Sequence, residues 1–180
     1  AVDTSSKNCS VAILEVNNDK FNVLICENSD DEKTHSQKIM PMIDDVFKKT
    51  NLSLDDINLL ACCVGPGSFT GIRISITIAK VMAYCLNIPI YTISYLELSA
   101  LDNKGKNTFA VKENNGYYKA TFMDDKMISS ISYVKSKELL ENEVIVDNIN
   151  YQKIPTYNYL KLTDCFNANP LYVKTIEALN

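Results

Sequence analysis

Tryptophan is missing from this chain, histidine and arginine occur once each, and glycine only five times. Each scarcity excludes something. The lone histidine, His35, cannot supply an H-x-x-x-H or H-E-x-x-H pair, so no metal-ligating residues are assigned. With no carboxylate pattern beside it, His35 reads as a helix-start residue making local hydrogen bonds, and no catalytic residue is assigned. There is no apolar run of the roughly 18 residues that a membrane span needs. The first ten residues, AVDTSSKNCS, carry no basic segment and no apolar signal core. They open without Met in what reads as the end of a strand, so a few residues are expected to precede Ala1. The six cysteines include no C-x-x-C pair. Adjacent Cys62 and Cys63 point to opposite faces of a strand, which fits reduced, buried thiols in a cytoplasmic protein better than disulfides.

Basic charge is also short. Eighteen Lys and Arg face twenty-two Asp and Glu, for a net charge of −4. The lysines are scattered and the densest charge run, ENSDDE, is acidic. A protein that grips nucleic acid through its phosphates shows a basic face, so tRNA or DNA binding by this chain alone is not expected.

What is present is an alternation of strands and helices. CSVAILEV and KFNVLICEN read as two strands joined by a hairpin turn. HSQKIMPMIDDVFKKT places Ile39, Met40, Ile43, Val46 and Phe47 on one helical face, with Pro41 expected in the first turn or at a kink. INLLACCV is a continuous apolar run with β character, a central strand buried on both faces. A helix from about Thr70 to Leu86 follows. It is apolar nearly all round and so should be covered on several sides, and Asn87 and Pro89 stop it. IPIYTI is another buried strand. SYLELSAL opens a short helix with Ser94 as N-cap and Glu97 three residues on. Beyond Leu101 lie shorter strands in NTFAV, YYKATFM and MISSISYV, a short helix in SKELLEN, a strand in EVIVD, and a last helix in the tail NPLYVKTIEALN. The pattern predicts an α/β fold with a mixed sheet flanked by helices, residues 1–100 forming one lobe and 101–180 a reduced second lobe and tail.

Three of the five glycines, Gly65, Gly67 and Gly71, fall within the strand-to-helix turn GPGSFTG, and Arg73 follows in the first helical turn. A helix start offers unpaired N–H groups and the positive end of a dipole, and glycine lets an anion approach the backbone. The spacing is neither that of the dinucleotide fingerprint nor of the P-loop. A tight turn that packs a helix on a sheet explains the glycines equally. Asp3, Thr4 and Ser5, after the first strand, could cradle a phosphate or could simply shape a turn. The nucleotide or anion candidates are therefore Asp3, Thr4, Ser5, Gly65, Gly67 and Ser68.

Taken together, AVDTSSKNCSVAIL, the stretch from His35-Ser36 through GPGSFTGIR, and IPIYTISYLELSA resemble the TsaB (YeaZ) family, over roughly residues 1 to 100. The resemblance implies an actin-like ATPase (ribonuclease H-like) fold. It also implies a non-catalytic subunit in synthesis of threonylcarbamoyladenosine on tRNA. The family's catalytic paralogue, TsaD, holds a metal through an H-x-x-x-H pair and transfers the threonylcarbamoyl group to the adenosine beside the anticodon; an ATPase, TsaE, joins them. The implied partners are thus TsaD as a heterodimer, TsaE in a ternary complex, a second copy of the chain through the same helices, and tRNA only through the complex. Where the family shows Asp-Ala-Arg before a Gly and a Tyr strand, this chain has VKENNGYYKA, so no cofactor is required and ATP or ADP binding is at most weak. The two apolar helices offer more hydrophobic surface than one small sheet covers. The expected partner interface is Ile39, Met40, Ile43, Phe47, Ile72, Arg73, Ile76, Ala79, Met82 and Ala83, with a charge at Ile76 or Met82 breaking the complex without unfolding the chain. Arg73 should pair with a carboxylate nearby or across that interface. The competing reading is an enzyme, an ATPase or phosphotransferase using Asp3, Thr4 and the glycine turn; a peptidase-like reading has one histidine and no partner for it.

Overall fold

A computed structural model describes residues 1–17, 20–29, 35–101, 103–146, 149–151 and 161–173. The β-branched runs form β1 (Val2–Asp3), β2 (Cys9–Asn17), β3 (Lys20–Ser29), β4 (Leu60–Gly65) and β5 (Ile90–Ser94) of one sheet. Its order is β11-β5-β4-β1-β2-β3, with β11 (Lys161–Thr163) arriving from the far end of the chain. The sheet is mixed. β1, β2 and β3 are antiparallel neighbours, with Val2 opposite Val11, whereas β4 runs parallel to β1 and to β5. β11 closes the far edge antiparallel to β5. The second half of the chain forms a smaller sheet from β6 (Lys106–Glu113), β7 (Gly116–Met123), β8 (Lys126–Met127), β9 (Ser132–Lys135) and β10 (Val144–Val146).

Two helices cover one face of the first sheet. α1 (His35–Thr50) inserts Ile39, Ile43 and Val46, and ends on Lys48 and Lys49, the sign its C-terminal dipole favours. Pro41 lies in its second turn on the exposed side, which rules out the first-turn placement of the two the sequence suggests. α2 (Phe69–Leu86) is capped by Ser68, whose side chain accepts from the Gly71 N–H, and is ended by Asn87 in the left-handed conformation. Its length and apolarity would suffice to cross a membrane, yet Ile72, Ile76, Ala79 and Ala83 are packed in the core against β1, β4 and β5. The expectation that α2 is covered on several sides fails: Arg73, Val81, Tyr84 and Cys85 stand exposed on its outer side. α3 (Tyr95–Ala100) starts at Ser94, which accepts from the Glu97 N–H, and packs Tyr95, Leu96 and Ala100 with Phe109 and Phe122 of the second sheet.

The helix expected in SKELLEN is a single 3-10 turn, Ser136–Glu138. A segment this short carries no apolar stripe to bury, and Leu140 is left exposed, so tertiary packing cannot offset the cost of nucleation. The helix expected at the end of the chain is absent from residues 169–173, and the rest of that stretch lies outside the described residues. The tail instead leaves β11, turns at Asp164, and returns along α2.

Candidate functional site

The residues singled out around the glycine turn do meet. β1 ends at Asp3, and the next three residues pass under the start of α2. The approach is backbone on backbone: a Cβ on Gly71 would fall 1.7 Å from the Thr4 carbonyl oxygen, and one on Gly67 2.3 Å from that of Ser5. Gly65 is needed for a different reason, a φ of +107° that side chains rarely adopt.

The hydroxyls that could have held a phosphate are turned inward. Thr4 donates from Oγ1 to the Gly71 carbonyl and accepts from the Ser75 N–H at 3.1 Å. The Ser68 N–H donates to the Ser5 carbonyl at 2.7 Å, and Ser68 Oγ caps Gly71. Ser5 donates from both its N–H and its Oγ to Asp3 Oδ1. Asp3, Thr4 and Ser5 are all buried. Three acidic groups nearby titrate high. Burial is the main cause for Cys63, Tyr95 and Tyr151, and the negative charge of Asp3 adds to it in each case. The turn is thus a self-satisfied joint. An apolar cavity of about 420 Å³ lies elsewhere, between β2, β4 and α1, and its walls include none of Asp3, Thr4, Ser5 or the Gly65–Gly71 turn. Among the described residues, no group of three or more His, Cys, Asp or Glu could hold a metal ion. His35 opens α1, and its side chain lies outside the described residues.

The ten interface candidates divide sharply. Ile39, Ile43, Ile72, Ile76, Ala79 and Ala83 lie in the chain's own core, so they cannot meet a partner, and a charge at Ile76 would unfold the chain rather than spare it. The reason is geometric: the sheet takes the most apolar helical stripe first. Phe47 and Met82 are partly buried against that core, and only Met40 and Arg73 are exposed.

Sequence reasoning missed the residues that form the real open surface. On α2 these are Phe69, Val81 (57% exposed) and Tyr84 (67% exposed). The tail adds Phe166 (73% exposed), Leu171 and Tyr172 (52% exposed). Phe166 stands edge-on to Tyr84 at 6.1 Å, and Tyr172 lies 5.5 Å from Phe69. The Lys80 ammonium donates to the Phe166 carbonyl at 3.3 Å, and the Leu171 N–H donates to the Val64 carbonyl at 2.8 Å, pinning the tail at both ends. The spacing of Arg73, Thr77, Val81 and Tyr84 could have marked the helix side. Nothing periodic marks Phe166 or Tyr172, which reach α2 only because β11 joins the first sheet.

The family model described as "TsaD: tRNA N6-adenosine threonylcarbamoyltransferase" matches residues 29–111. The chain is 43% identical over 100 residues to the "tRNA threonylcarbamoyladenosine biosynthesis protein TsaB" of Buchnera aphidicola subsp. Schizaphis graminum (strain Sg), covering 56% of this chain and 45% of that one. A longer match, 28% identical over 163 residues, covers 85% of this chain and 69% of the same-named protein of Buchnera aphidicola subsp. Acyrthosiphon pisum (strain APS). Matches at 32–43% identity span only 38–45% of the curated relatives' length. In fold, the chain superposes on a crystal structure described as an uncharacterized protein with similarity to peptidase YeaZ from Pseudomonas aeruginosa. The TM-score is 0.74 at 17% identity, covering 96% of this chain and 97% of that one. The architecture, a mixed sheet flanked by helices, is shared with that structure.

Proposed function

We propose that the chain, which is similar in sequence to TsaB proteins, is a non-catalytic subunit in threonylcarbamoylation of tRNA. It docks on the transferase TsaD, with TsaE joining the pair, and supports transfer to the adenosine beside the anticodon. The observation that carries this reading is the open outer side of α2, where Val81 and Tyr84 stand more than half exposed on a helix whose other side is core. Apolar side chains on one helix flank fit a helical partner better than a small polar substrate. The inward-turned hydroxyls of Thr4 and Ser5 support a role without chemistry, since a phosphate would have to displace bonds the joint already makes. The subunit acts in the cytoplasm, requires no nucleotide of its own, and meets tRNA only through the complex.

The test is reconstitution with the transferase and ATPase of the same organism. Co-elution of chain and transferase is expected, with tRNA modification falling to background when the chain is omitted. Full modification without it, or ATP turnover by the purified chain alone, would overturn the proposal.

A further inference from the structure

The chain's single arginine is held in an unusual way. The Arg73 guanidinium carbon lies 4.0 Å from the centre of the Phe69 ring and 5.7 Å from that of Tyr172. Its Nε donates to the Tyr172 hydroxyl at 2.9 Å. One ring comes from the first turn of α2, the other from the returning tail, 99 residues away in sequence. Arg73 is exposed, and among the described residues it forms no ion pair with any carboxylate.

A guanidinium fixed through Nε and stacked on rings keeps the fork of its two terminal nitrogens for another acceptor. Holding it in place beforehand removes much of the entropy cost that an exposed arginine meets on pairing. The surrounding surface is aromatic and apolar, so a partner that covers it also strips water from the fork, which strengthens a two-point hydrogen bond to a carboxylate. We propose that Arg73, clamped by Phe69 and Tyr172, is a preset hook for a carboxylate of the protein that docks on α2. This rests on the docking role proposed above and names the polar contact that orients it. The neighbouring chemistry favours a protein carboxylate over an RNA phosphate. The chain carries net charge −4, and among the described residues the other cation of this flank, Lys80, is engaged with the tail backbone. Phosphate binding needs several cations acting together.

The tail then has a part in docking: it supplies half of the clamp. Tyr172→Phe keeps the ring and removes the hydrogen bond, so it should weaken docking less than Arg73→Gln.

The experiment measures the affinity of the full chain for the transferase of the same organism by calorimetry at two salt concentrations. Arg73→Gln and Arg73→Lys should each weaken binding roughly 10- to 100-fold, with the thermal midpoint of the free chain unchanged. The salt dependence of the wild type should be blunted in Arg73→Gln. A transferase carrying a carboxylate-to-lysine change at the paired position should be rescued by Arg73→Glu. Wild-type affinity and salt response in Arg73→Lys and Arg73→Gln would overturn the hook while leaving docking intact; failure of the wild type to bind would instead overturn the docking role. Loss of binding seen only towards isolated tRNA would also overturn the hook.

Discussion

The first turn of α2 and its outer flank belong to one helix and differ in almost every respect. Where the first turn meets Thr4 and Ser5, polar groups are buried and bonded to one another, and glycines bring two backbones into contact. On the flank, apolar and aromatic side chains are exposed and the one arginine is stacked on rings without a carboxylate partner among the described residues. The motif that draws attention in the sequence is thus spent on holding the fold together. The exposed surface takes only Phe69 and Arg73 from that motif, and its other members, Val81, Tyr84, Phe166 and Tyr172, carry no motif at all. Placing a glycine-rich turn after a strand therefore does not distinguish a phosphate site from a joint. What distinguishes them is whether the hydroxyls and N–H groups around the turn are already paired.

The sharpest way to break that contrast is at Gly71. Alanine there puts a methyl group 1.7 Å from the Thr4 carbonyl oxygen. The atoms it meets are backbone, which cannot swing aside, so α2 must move off β1. Gly71→Ala should cost more than about 4 kcal/mol and leave little folded chain. Gly105→Ala is the control: its Cβ meets nothing within 4 Å, and its φ of +77° alone should cost about 1–2 kcal/mol. Urea unfolding of the two variants checks the difference, and equal losses would mean the joint is not tight.

A smaller effect comes from the thiols behind the joint. Burial pushes the Cys62 thiol from about 9 up to about 12. Between those values the folded chain keeps a proton that the unfolded chain releases. The stabilisation is whole below pH 9 and is lost as pH rises towards 12, at about 1.4 kcal/mol per pH unit for one such group. Denaturation midpoints should fall from pH 9 to 11, and Cys62→Ala should flatten the fall. A slope unchanged by that substitution would assign the alkaline loss to other groups, such as the buried Tyr95 and Tyr151, whose acidity is also suppressed by burial.

The split between the legible and illegible parts of the molecule follows from the range of the forces involved. β2, β3, β4, β5, α1 and α2 are readable because local periodicity and capping set them: Asn87 ends α2 and Ser94 opens α3, whereas Ser68, an anion candidate in the sequence, is the cap of α2. The sequence groups Asp3 and Thr4 with the glycine turn as candidates, and the structure supplies the reason they meet, the parallel pairing of β1 with β4. Which helical stripe is core was not, because Ile72 and Ile74 look alike in sequence and only the sheet separates them. The tail's return was invisible for a stronger reason. β11 is three residues long, and its pairing with β5 spans about seventy residues, a contact whose loop-closure cost leaves no local trace.

The mildest change tests the flank itself. Val81 is 57% exposed and touches the joint nowhere, so Val81→Asp should leave stability within about 0.5 kcal/mol of wild type. Docking should suffer far more, since a carboxylate buried in an apolar contact keeps an uncompensated charge. Cys85, exposed and four residues on along α2, reports the same event without a substitution. A thiol reagent should label it readily in the free chain and slowly once the transferase is bound, while Cys26, on β3 of the opposite edge, keeps its rate. In Val81→Asp the protection of Cys85 should disappear. Protection that survives the substitution would move the contact off this flank and towards α1, where Met40 is the exposed apolar side chain that remains.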